Sequence, residues 1–189
     1  KVQAGDTILI HAAAGGVGAI VCQWARQIGA TTIGTVGSRE KGEEARGNGC
    51  THTVLYREED FAAKVREITG GRGVDAVYDS VGQATFMHSL DCLRPMGTMV
   101  SFGQSSGPIG SFDPAILAAK GSLFLTRPSL MHYTARREDL LAHANDLFSV
   151  VLAGAVRANI RQEYALRDAA QAHRDLEGRK TTGSTILLP

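Results

Sequence analysis

Residues 7–28 present a strand pattern, a glycine turn and a helix pattern in direct succession. The β-rich run 7–12 leads into Ala13-Ala14-Gly15-Gly16-Val17-Gly18, and apolar residues at helical spacing then continue to Ile28, after which Gly29 is a typical helix stop. The first backbone N–H groups of a helix have no partner inside the helix, so they can bind an anion. The segment therefore predicts a pyrophosphate site between a strand and a helix.

Two glycines of this turn have separate mechanical roles. Gly15 lets the backbone approach a phosphate oxygen, and Gly18 lets the helix pack on the strand without an intervening Cβ. Ala13 stands where the general G-x-G-x-x-G fingerprint has its first glycine, so the motif alone does not exclude a turn that merely joins two elements. The strand before it and the helix after it favour a cofactor site.

Strand and helix patterns alternate along the first two thirds of the chain, with glycine-rich breaks between them. The predicted strands are residues 7–12, 32–36, 52–55, 74–79, 98–102 and 122–126. The predicted helices are 16–28, 39–47, 61–69 and 84–93, followed by a break at Pro95-Met96-Gly97 and an irregular segment that reaches Lys120. Six strands with crossovers predict an α/β fold, a Rossmann-type doubly wound parallel sheet covered on both faces, in the order 3-2-1-4-5-6.

The pattern changes after the sixth strand. A long amphipathic helix is predicted from Leu140 to Leu152, followed by Gly154, a strand at 158–164, a helix at 167–177 and a strand at 184–188. The last two strands have no place in the parallel sheet. We therefore expect a dinucleotide-binding domain at 1–130 and, at 131–189, part of a second domain that is otherwise absent, in a chain that begins inside a longer protein.

Composition restricts the classes of function. The chain has 189 residues with a net charge of +1, which argues against a broad nucleic-acid surface, and no apolar segment is long enough to cross a membrane. The separated Cys22, Cys50 and Cys92 predict buried, reduced thiols in a cytoplasmic protein. The six histidines show no metal-binding spacing, so we predict no metal site and a structural or surface role for histidines such as His11, His52 and His88.

The end of the second strand indicates which nucleotide binds. An NAD site places an acidic residue there to bond the ribose 2′-hydroxyl, but residues 35–38 contain none. Ser38, Arg39 and Lys41 would instead attract a 2′-phosphate, which favours NADPH. The alternative is that Arg39 and Lys41 only begin a solvated helix, since Glu40 lies between them.

Two other nucleotide-binding classes lack their residues here. Short-chain dehydrogenases need a Y-x-x-x-K pair, and a P-loop needs a Gly-Lys dipeptide that this sequence does not contain. The four tyrosines, Tyr56, Tyr78, Tyr133 and Tyr164, are followed four residues later by Asp60, Gly82, Arg137 and Asp168.

Longer motifs identify a family resemblance that covers the whole chain. The runs HAAAGGVG, GTVGSREK, LYREED, VYDSVG, MVSFGQSSG, KGSLFLTRPSL and the ending LLP resemble the zinc-independent NADPH:quinone oxidoreductases of the medium-chain dehydrogenase/reductase superfamily, the group that includes zeta-crystallin. Ala13 is the usual residue of that group. The resemblance implies that the C-terminal segment belongs to a largely absent GroES-like catalytic domain.

The resemblance also implies which residues contact the cofactor. The adenosine and pyrophosphate contacts would be Gly15, Gly16, Val17, Gly18, Gly37, Ser38, Arg39, Lys41, Tyr56 and Arg179. The contacts towards the nicotinamide would be Ser80, Phe102, Gly103, Ser105, Ser106, Ser129, Met131 and Tyr133. For Tyr56 simple packing remains an alternative, and for Arg179 a surface cation beside Lys180.

The implied activity is hydride transfer from NADPH to a quinone or an activated alkene, with the acceptor covered by a domain that we expect to be absent. No catalytic side chain is assigned, and we expect the chain alone to bind NADPH weakly and to be poorly active. The alternatives are an enoyl or alkenal reductase of the same superfamily and a non-catalytic NADPH-binding sensor or structural module. The apolar edge strand from Ser122 to Thr126 predicts a homodimer.

Overall fold

The structure, a computed structural model, describes residues 2–189. Its strands are β1 (Thr7–Ile10), β2 (Thr31–Val36), β3 (His52–Leu55), β4 (Val74–Asp79), β5 (Leu93–Ser101), β6 (Phe124–Thr126), β7 (Ile160–Ala165) and β8 (Ser184–Leu188). Its helices are α1 (Gly16–Ile28), α2 (Arg39–Gly47), α3 (Phe61–Ile68), α4 (Phe86–Cys92), α5 (Ala115–Ala119), α6 (Leu130–Tyr133), α7 (Arg137–Leu152) and α8 (Ala169–Glu177).

The first six strands form one parallel sheet in the order β3-β2-β1-β4-β5-β6, which confirms the predicted Rossmann-type order. Because side chains alternate along a strand, the neighbours Leu9 and Ile10 belong to separate cores. Leu9 packs with Val65 of α3 and Phe86 of α4, whereas Ile10 packs with Cys22 of α1. Helices on both faces therefore hold β1 in the centre of the sheet.

The predicted break at residues 95–97 is wrong, because β5 already begins at Leu93. The irregular residues lie inside the strand: Met96 has a φ of 59°, its N–H donates to Gly121 O at 2.7 Å, and the register with β4 shifts between Val74 and Ala76. A bulge of this kind accommodates a proline within a sheet. Pairing with β4 thus overrides the local signal for a turn.

Several other boundaries also differ. β1 ends at Ile10 rather than at residue 12, because Ala12 has a φ of 56° and begins the glycine turn. β6 begins at Phe124 rather than at residue 122, because Ser122 also has a φ of 56°. The helix predicted at 84–93 is α4, Phe86–Cys92, and the segment predicted as irregular contains the short helix α5.

Coverage of the sheet is incomplete on the face that carries α1. There, a groove of about 500 Å³ is lined by strand residues that include Ala76, Tyr78, Thr98, Val100 and Thr126. These residues belong to β4, β5 and β6, whereas α1 packs on the β1 side of the same face. The expected covering of both faces is therefore correct for the α3 and α4 side and only partial for the other.

Asp75 connects the amino ends of three strands. It lies in β4, and its carboxylate accepts hydrogen bonds from Thr7 N at 2.8 Å, Arg94 Nε at 2.6 Å and Arg72 Nη2 at 2.7 Å. Although burial opposes ionisation, the two guanidinium groups and the Thr7 N–H hold the pKa of the Asp75 carboxyl well below its usual range. The contacts fix β1, β4 and β5 at the end of the sheet opposite the glycine turn.

The C-terminal strands lie outside the main sheet, as predicted: β7 and β8 form a separate parallel pair. The segment contacts the face of the main sheet that carries α1 and α2. The Gln23 amide donates to Arg157 O at 3.1 Å and accepts from Arg157 N at 2.9 Å, and Arg161 Nε lies 3.0 Å from Glu44 Oε1. These bonds connect α1 to Arg157, before β7, and α2 to Arg161 in β7.

Helix α7 confirms the predicted helix, but most of its large apolar side chains are exposed. Phe148 is 58 % exposed and Leu152 is 88 % exposed. In the part of the chain that the structure describes, no helix has both the length and the apolar character that a membrane span requires.

Candidate dinucleotide-binding site

The glycine turn lies at the carboxyl end of β1, where the strand order reverses. Gly15 is the N-cap residue of α1, and its N–H donates to Ala12 O at 2.9 Å, while Ala13 N donates to Thr35 O of β2 at 3.1 Å. A Cβ at Gly18 would overlap Ala12 O and would lie only 2.7 Å from Ala13 Cα. The helix start is therefore held against the strand, as predicted for Gly18, and its first N–H groups face the switch point.

The exits of β2 and β3 form the next part of the site. Ser38 is the N-cap residue of α2, and its Oγ accepts from Lys41 N at 3.4 Å. Tyr56 follows β3, and a Cβ at Gly37 would lie 3.0 Å from its hydroxyl oxygen. The predicted residues Gly37, Ser38, Lys41 and Tyr56 thus converge beside the turn. Arg39 instead pairs with Glu58 at 3.2 Å on an exposed surface.

Arg179 reaches the group formed by Gly37, Ser38, Lys41 and Tyr56, which we call the corner, from the C-terminal segment, as the resemblance implied. Its Nη1 donates to the Tyr56 hydroxyl at 3.2 Å, although 123 residues separate the two in sequence. The residue follows α8 with a φ of 58°, a left-handed conformation that costs a non-glycine residue about 1–2 kcal/mol. Glycine would avoid this cost, so the backbone conformation at position 179 is less favourable with arginine than it would be with glycine.

The corner is positively charged. Lys41 Nζ lies 2.6 Å from Arg179 O, to which it donates, so the ammonium group is held beside the residue that carries the guanidinium. Within residues 2–189, neither Lys41 nor Arg179 has a carboxylate at ion-pair distance. Two cations together without a carboxylate fit an anionic group such as a nucleotide 2′-phosphate. The residues present therefore fit NADPH better than NADH.

The loops after β4 and β5 form the opposite end of the site. Phe102 N and Gly103 N donate to Asp79 O at 2.8 and 3.2 Å, and Ser105 N donates to Ser80 O at 3.1 Å. A Cβ at Gly103 would lie 2.5 Å from Ser80 O, so the two loops are in close contact. The predicted residues Ser80, Phe102, Gly103 and Ser105 are therefore brought together.

Ser106 has a structural contact that the sequence did not indicate. Its hydroxyl donates to Val81 O at 2.8 Å and accepts from Ala84 N at 3.0 Å. Both bonds stay inside the protein, so this side chain connects the two loops instead of presenting a free donor to a ligand.

Asp79 and Arg127 organise these loops and were not among the predicted site residues. The buried Asp79 carboxylate accepts from Val81 N at 2.6 Å, Gly82 N at 3.0 Å and Thr85 Oγ1 at 2.7 Å. Arg127 Nη1 donates to the carbonyl groups of both Ser101 and Gly103 at 3.0 Å. A carboxylate at a strand end could have indicated Asp79, whereas an isolated arginine after β6 carries no recognisable pattern.

The predicted residues Ser129, Met131 and Tyr133, in α6 and at its start, are not part of the corner. Ser129 is the N-cap residue of this helix, Met131 is 75 % exposed, and Tyr133 lines the open groove of the sheet. The Tyr133 ring packs near His143 with ring centroids 6.1 Å apart. The structure thus brings together the residues predicted at the exits of β2 and β3 and in the loops after β4 and β5, and it leaves the α6 side chains on an open surface.

His11 lies beneath the glycine turn and is structural, which is one of the two predicted roles. Its ring is 2 % exposed, with Nδ1 2.9 Å from Thr35 Oγ1 and Nε2 2.9 Å from Ser89 Oγ. Burial lowers the pKa of His11 to about 4, although the negative charge of Asp79 partly opposes this shift. The neutral ring therefore bridges β2 and α4 through two hydroxyl groups.

These observations define an α/β protein of the dinucleotide-binding class, with an anion-binding turn at the switch point of a parallel sheet. Residues 16–146 match the zinc-binding dehydrogenase family, and the chain belongs to that family. Within residues 2–189, no group of three or more histidine, cysteine or acidic side chains is arranged to hold a metal ion.

Individual relatives are also similar along the whole chain. The sequence is 50 % identical over 192 residues to 2-haloacrylate reductase of a Burkholderia species and 49 % identical over 191 residues to quinone oxidoreductase of Salmonella typhimurium. The fold matches the crystal structure of Escherichia coli quinone oxidoreductase complexed with NADPH, with a TM-score of 0.96 at 48 % identity. The predicted resemblance to quinone oxidoreductases is confirmed.

All three comparisons cover 100 % of this chain but only part of each relative: 57 % of the haloacrylate reductase, 58 % of the Salmonella enzyme and 59 % of the E. coli structure. The chain thus spans somewhat more than half of the length of these relatives.

Proposed function

We propose that this chain is the NADPH-binding part of an oxidoreductase that transfers a hydride from NADPH to a quinone or an activated alkene. The observation that carries the proposal is the corner formed by Lys41, Tyr56 and Arg179 beside the close-packed glycine turn. The names of the relatives support it, since they include quinone oxidoreductases and an alkene reductase.

Each part of the site has a proposed task. The N–H groups at the start of α1 bind the pyrophosphate, while Lys41 and Arg179 neutralise the 2′-phosphate. Asp79 and Arg127 hold the loops around Ser80 and Gly103 in the shape required by the nicotinamide end. When bound, NADPH supplies the hydride; the protein contributes orientation and exclusion of water.

The division at residues 130 and 131 remains part of the proposal. We assign residues 131–189 to a catalytic domain that the remainder of a longer protein completes. The exposed apolar side chains of α7 and the open groove on the sheet support this division, because both are surfaces that a further domain could cover. Zinc independence is proposed on the resemblance, and a cytoplasmic location is proposed on the three separated, buried cysteines.

Activity is tested by following the oxidation of NADPH by a 1,4-quinone through the nicotinamide absorbance. The assay compares the chain alone with the full-length protein to which we assign it. We expect turnover by the full-length protein and at least about 100-fold slower turnover by the chain alone, because an unpositioned acceptor forfeits much of the proximity contribution. Equal turnover by the two would contradict the proposed division of the active site.

The acceptor class is tested in the same assay. Parallel reactions with a quinone, a 2-haloacrylate and an enoyl thioester distinguish a quinone reductase from the alkene and enoyl reductase alternatives. Tight NADPH binding by the full-length protein without turnover of any acceptor would favour the sensor or structural module instead.

We also propose a homodimer that forms through the free edge of β6. Phe124 is 62 % exposed at this edge, whereas Leu123, within the predicted strand 122–126, is 6 % exposed and belongs to the core. Phe124→Lys should convert the dimer to a monomer, as measured by light scattering at micromolar concentration, because it adds a charge to the pairing edge. The matched control Phe148→Lys changes an equally exposed phenylalanine on α7; a wild-type monomer, or dissociation by the control alone, would contradict the proposal.

A further inference from the structure

The chain between α8 and β8, residues 178–183, crosses two parts of the proposed cofactor site; we call it the strap. At its C-terminal end, before β8, Gly183 N donates to Ala14 O at 2.9 Å, and Gly183 forms a parallel bridge with Gly15. Gly183 has a φ of 56°, and a Cβ there would overlap Asn159 O. This end of the strap is therefore fixed against the glycine turn and requires glycine.

The N-terminal part of the strap, which follows α8, is held by Lys41. Its Nζ donates to Arg179 O at 2.6 Å and to Thr181 O at 3.1 Å, so one ammonium group bridges two carbonyls of the strap. An ammonium group has three N–H donors, and these bonds use two of them. Lys41 is thus already engaged with the protein at the position where the sequence predicted a phosphate contact.

Of the other side-chain bonds that the described strap makes, one reaches the site: Arg179 donates to the Tyr56 hydroxyl, and Tyr56 is 37 % exposed. The side chain of Lys180 does not hold the strap, because its Nζ turns back to Asp175 Oδ1 of α8 at 3.3 Å. Both contacts have a cationic donor, but Arg179 makes a single bond to Tyr56, whereas Lys41 makes two bonds to carbonyl groups of the strap. Backbone bonds from Arg179 N and Lys180 N to α8, at 3.0 and 2.9 Å, hold the start of the strap to its own helix, and Lys41 is its main side-chain attachment to the site.

We infer that Lys41 is a positioning residue that tethers the strap, and that it sets both the placement of Arg179 and the contact of Gly183 with the glycine turn. This inference extends the proposed function, because it assigns Lys41 a task in the absence of nucleotide and couples the 2′-phosphate corner to the pyrophosphate turn. A residue that served only as a phosphate ligand would leave the strap unchanged when removed.

The test is amide hydrogen exchange at Gly183 and Ser184, whose N–H groups donate to Ala14 O at 2.9 Å and Asn159 O at 2.7 Å. In the nucleotide-free chain, Lys41→Met should raise exchange at both amides by at least about tenfold, since it removes two charge-assisted hydrogen bonds. Lys41→Arg keeps a cation with several donors and should restore at least part of the protection. Lys180→Met is the matched control and should leave exchange at wild-type rates.

Unchanged exchange at Gly183 in Lys41→Met would overturn the inference, whatever happens to nucleotide affinity. A second readout is affinity for NADH, which has no 2′-phosphate: the tether predicts a loss of about threefold or more in Lys41→Met, and an unchanged affinity would overturn the coupling to the turn. If the wild-type chain binds no nucleotide, the proposed function fails, yet the exchange experiment still decides whether Lys41 tethers the strap.

Discussion

Replacing Gly18 by alanine is expected to destabilise the fold by about 3 kcal/mol, at the upper end of the range for an inserted methyl group. The added Cβ would lie 2.7 Å from Ala13 Cα and 2.8 Å from Ala13 C, and it would overlap Ala12 O. These are backbone atoms, so no side-chain rotation can relieve the overlap. The start of α1 must move away from β1, which displaces the N–H groups that bind the pyrophosphate.

Urea unfolding measures the stability, and calorimetric titration measures NADPH affinity, which should fall by at least about tenfold with the loss of these aligned donors. Gly47→Ala is the matched control, since Gly47 ends α2 and a Cβ there meets nothing within 4 Å. The control should stabilise the fold by about 0.5–1 kcal/mol, because alanine is the better helix residue. A Gly18→Ala variant as stable as wild type would contradict the close-packed turn.

Stability is expected to fall by about 3 kcal/mol as the pH is lowered from 6.5 to 4, through protonation of His11. The buried ring has a pKa of about 4 in the folded chain against an ordinary value of 6.5. Between these values the unfolded chain binds the extra proton, so the free energy of unfolding rises with pH in this window. The contribution is complete above pH 6.5 and lost below pH 4.

Urea midpoints of wild type and His11→Gln, measured across this pH range, isolate the contribution of His11 to the pH dependence of stability. The variant is less stable near neutral pH, because glutamine does not reproduce the bonds to Thr35 and Ser89. The stability of the variant should depend less on pH than that of wild type. The difference between the two slopes should reach at most about 1.4 kcal/mol per pH unit, the limit for one proton. His132→Gln changes a histidine of the exposed helix α6 and should keep the wild-type slope; identical slopes for wild type and His11→Gln would show that His11 does not control acid stability.

Local chemistry explains why much of the fold could be predicted. The alternation of strand and helix patterns predicts the order of the six strands, and Gly18 in the glycine turn predicts the close approach of α1 and β1. The strand break at residues 95–97 was mispredicted because Pro95 and Gly97 are turn residues by composition. Only the pairing of β5 with β4, together with the Met96 bond to Gly121 O, makes that segment a strand.

Parts of the site depend on contacts that no local pattern records. The absence of an acidic residue after β2 is local and predicted the phosphate preference. Arg179 could be placed only through the family resemblance, because its partner Tyr56 lies 123 residues earlier. The attachment of Lys41 to the strap and the bonds of Arg127 to two loop carbonyls are tertiary contacts of single cations, which have no spacing to recognise.

The central claim, that this chain is built to bind NADPH, is tested most directly by calorimetric titration of the chain with NADPH and with NADH. We expect NADPH to bind at least about tenfold more tightly, since each charge-assisted hydrogen bond to the 2′-phosphate contributes about 1.5–3 kcal/mol. Arg179→Gly relieves the left-handed backbone and removes the guanidinium, so it should lose much of this preference without losing stability. Equal affinities for the two nucleotides in the wild-type chain, or tighter binding of NADH, would contradict the account.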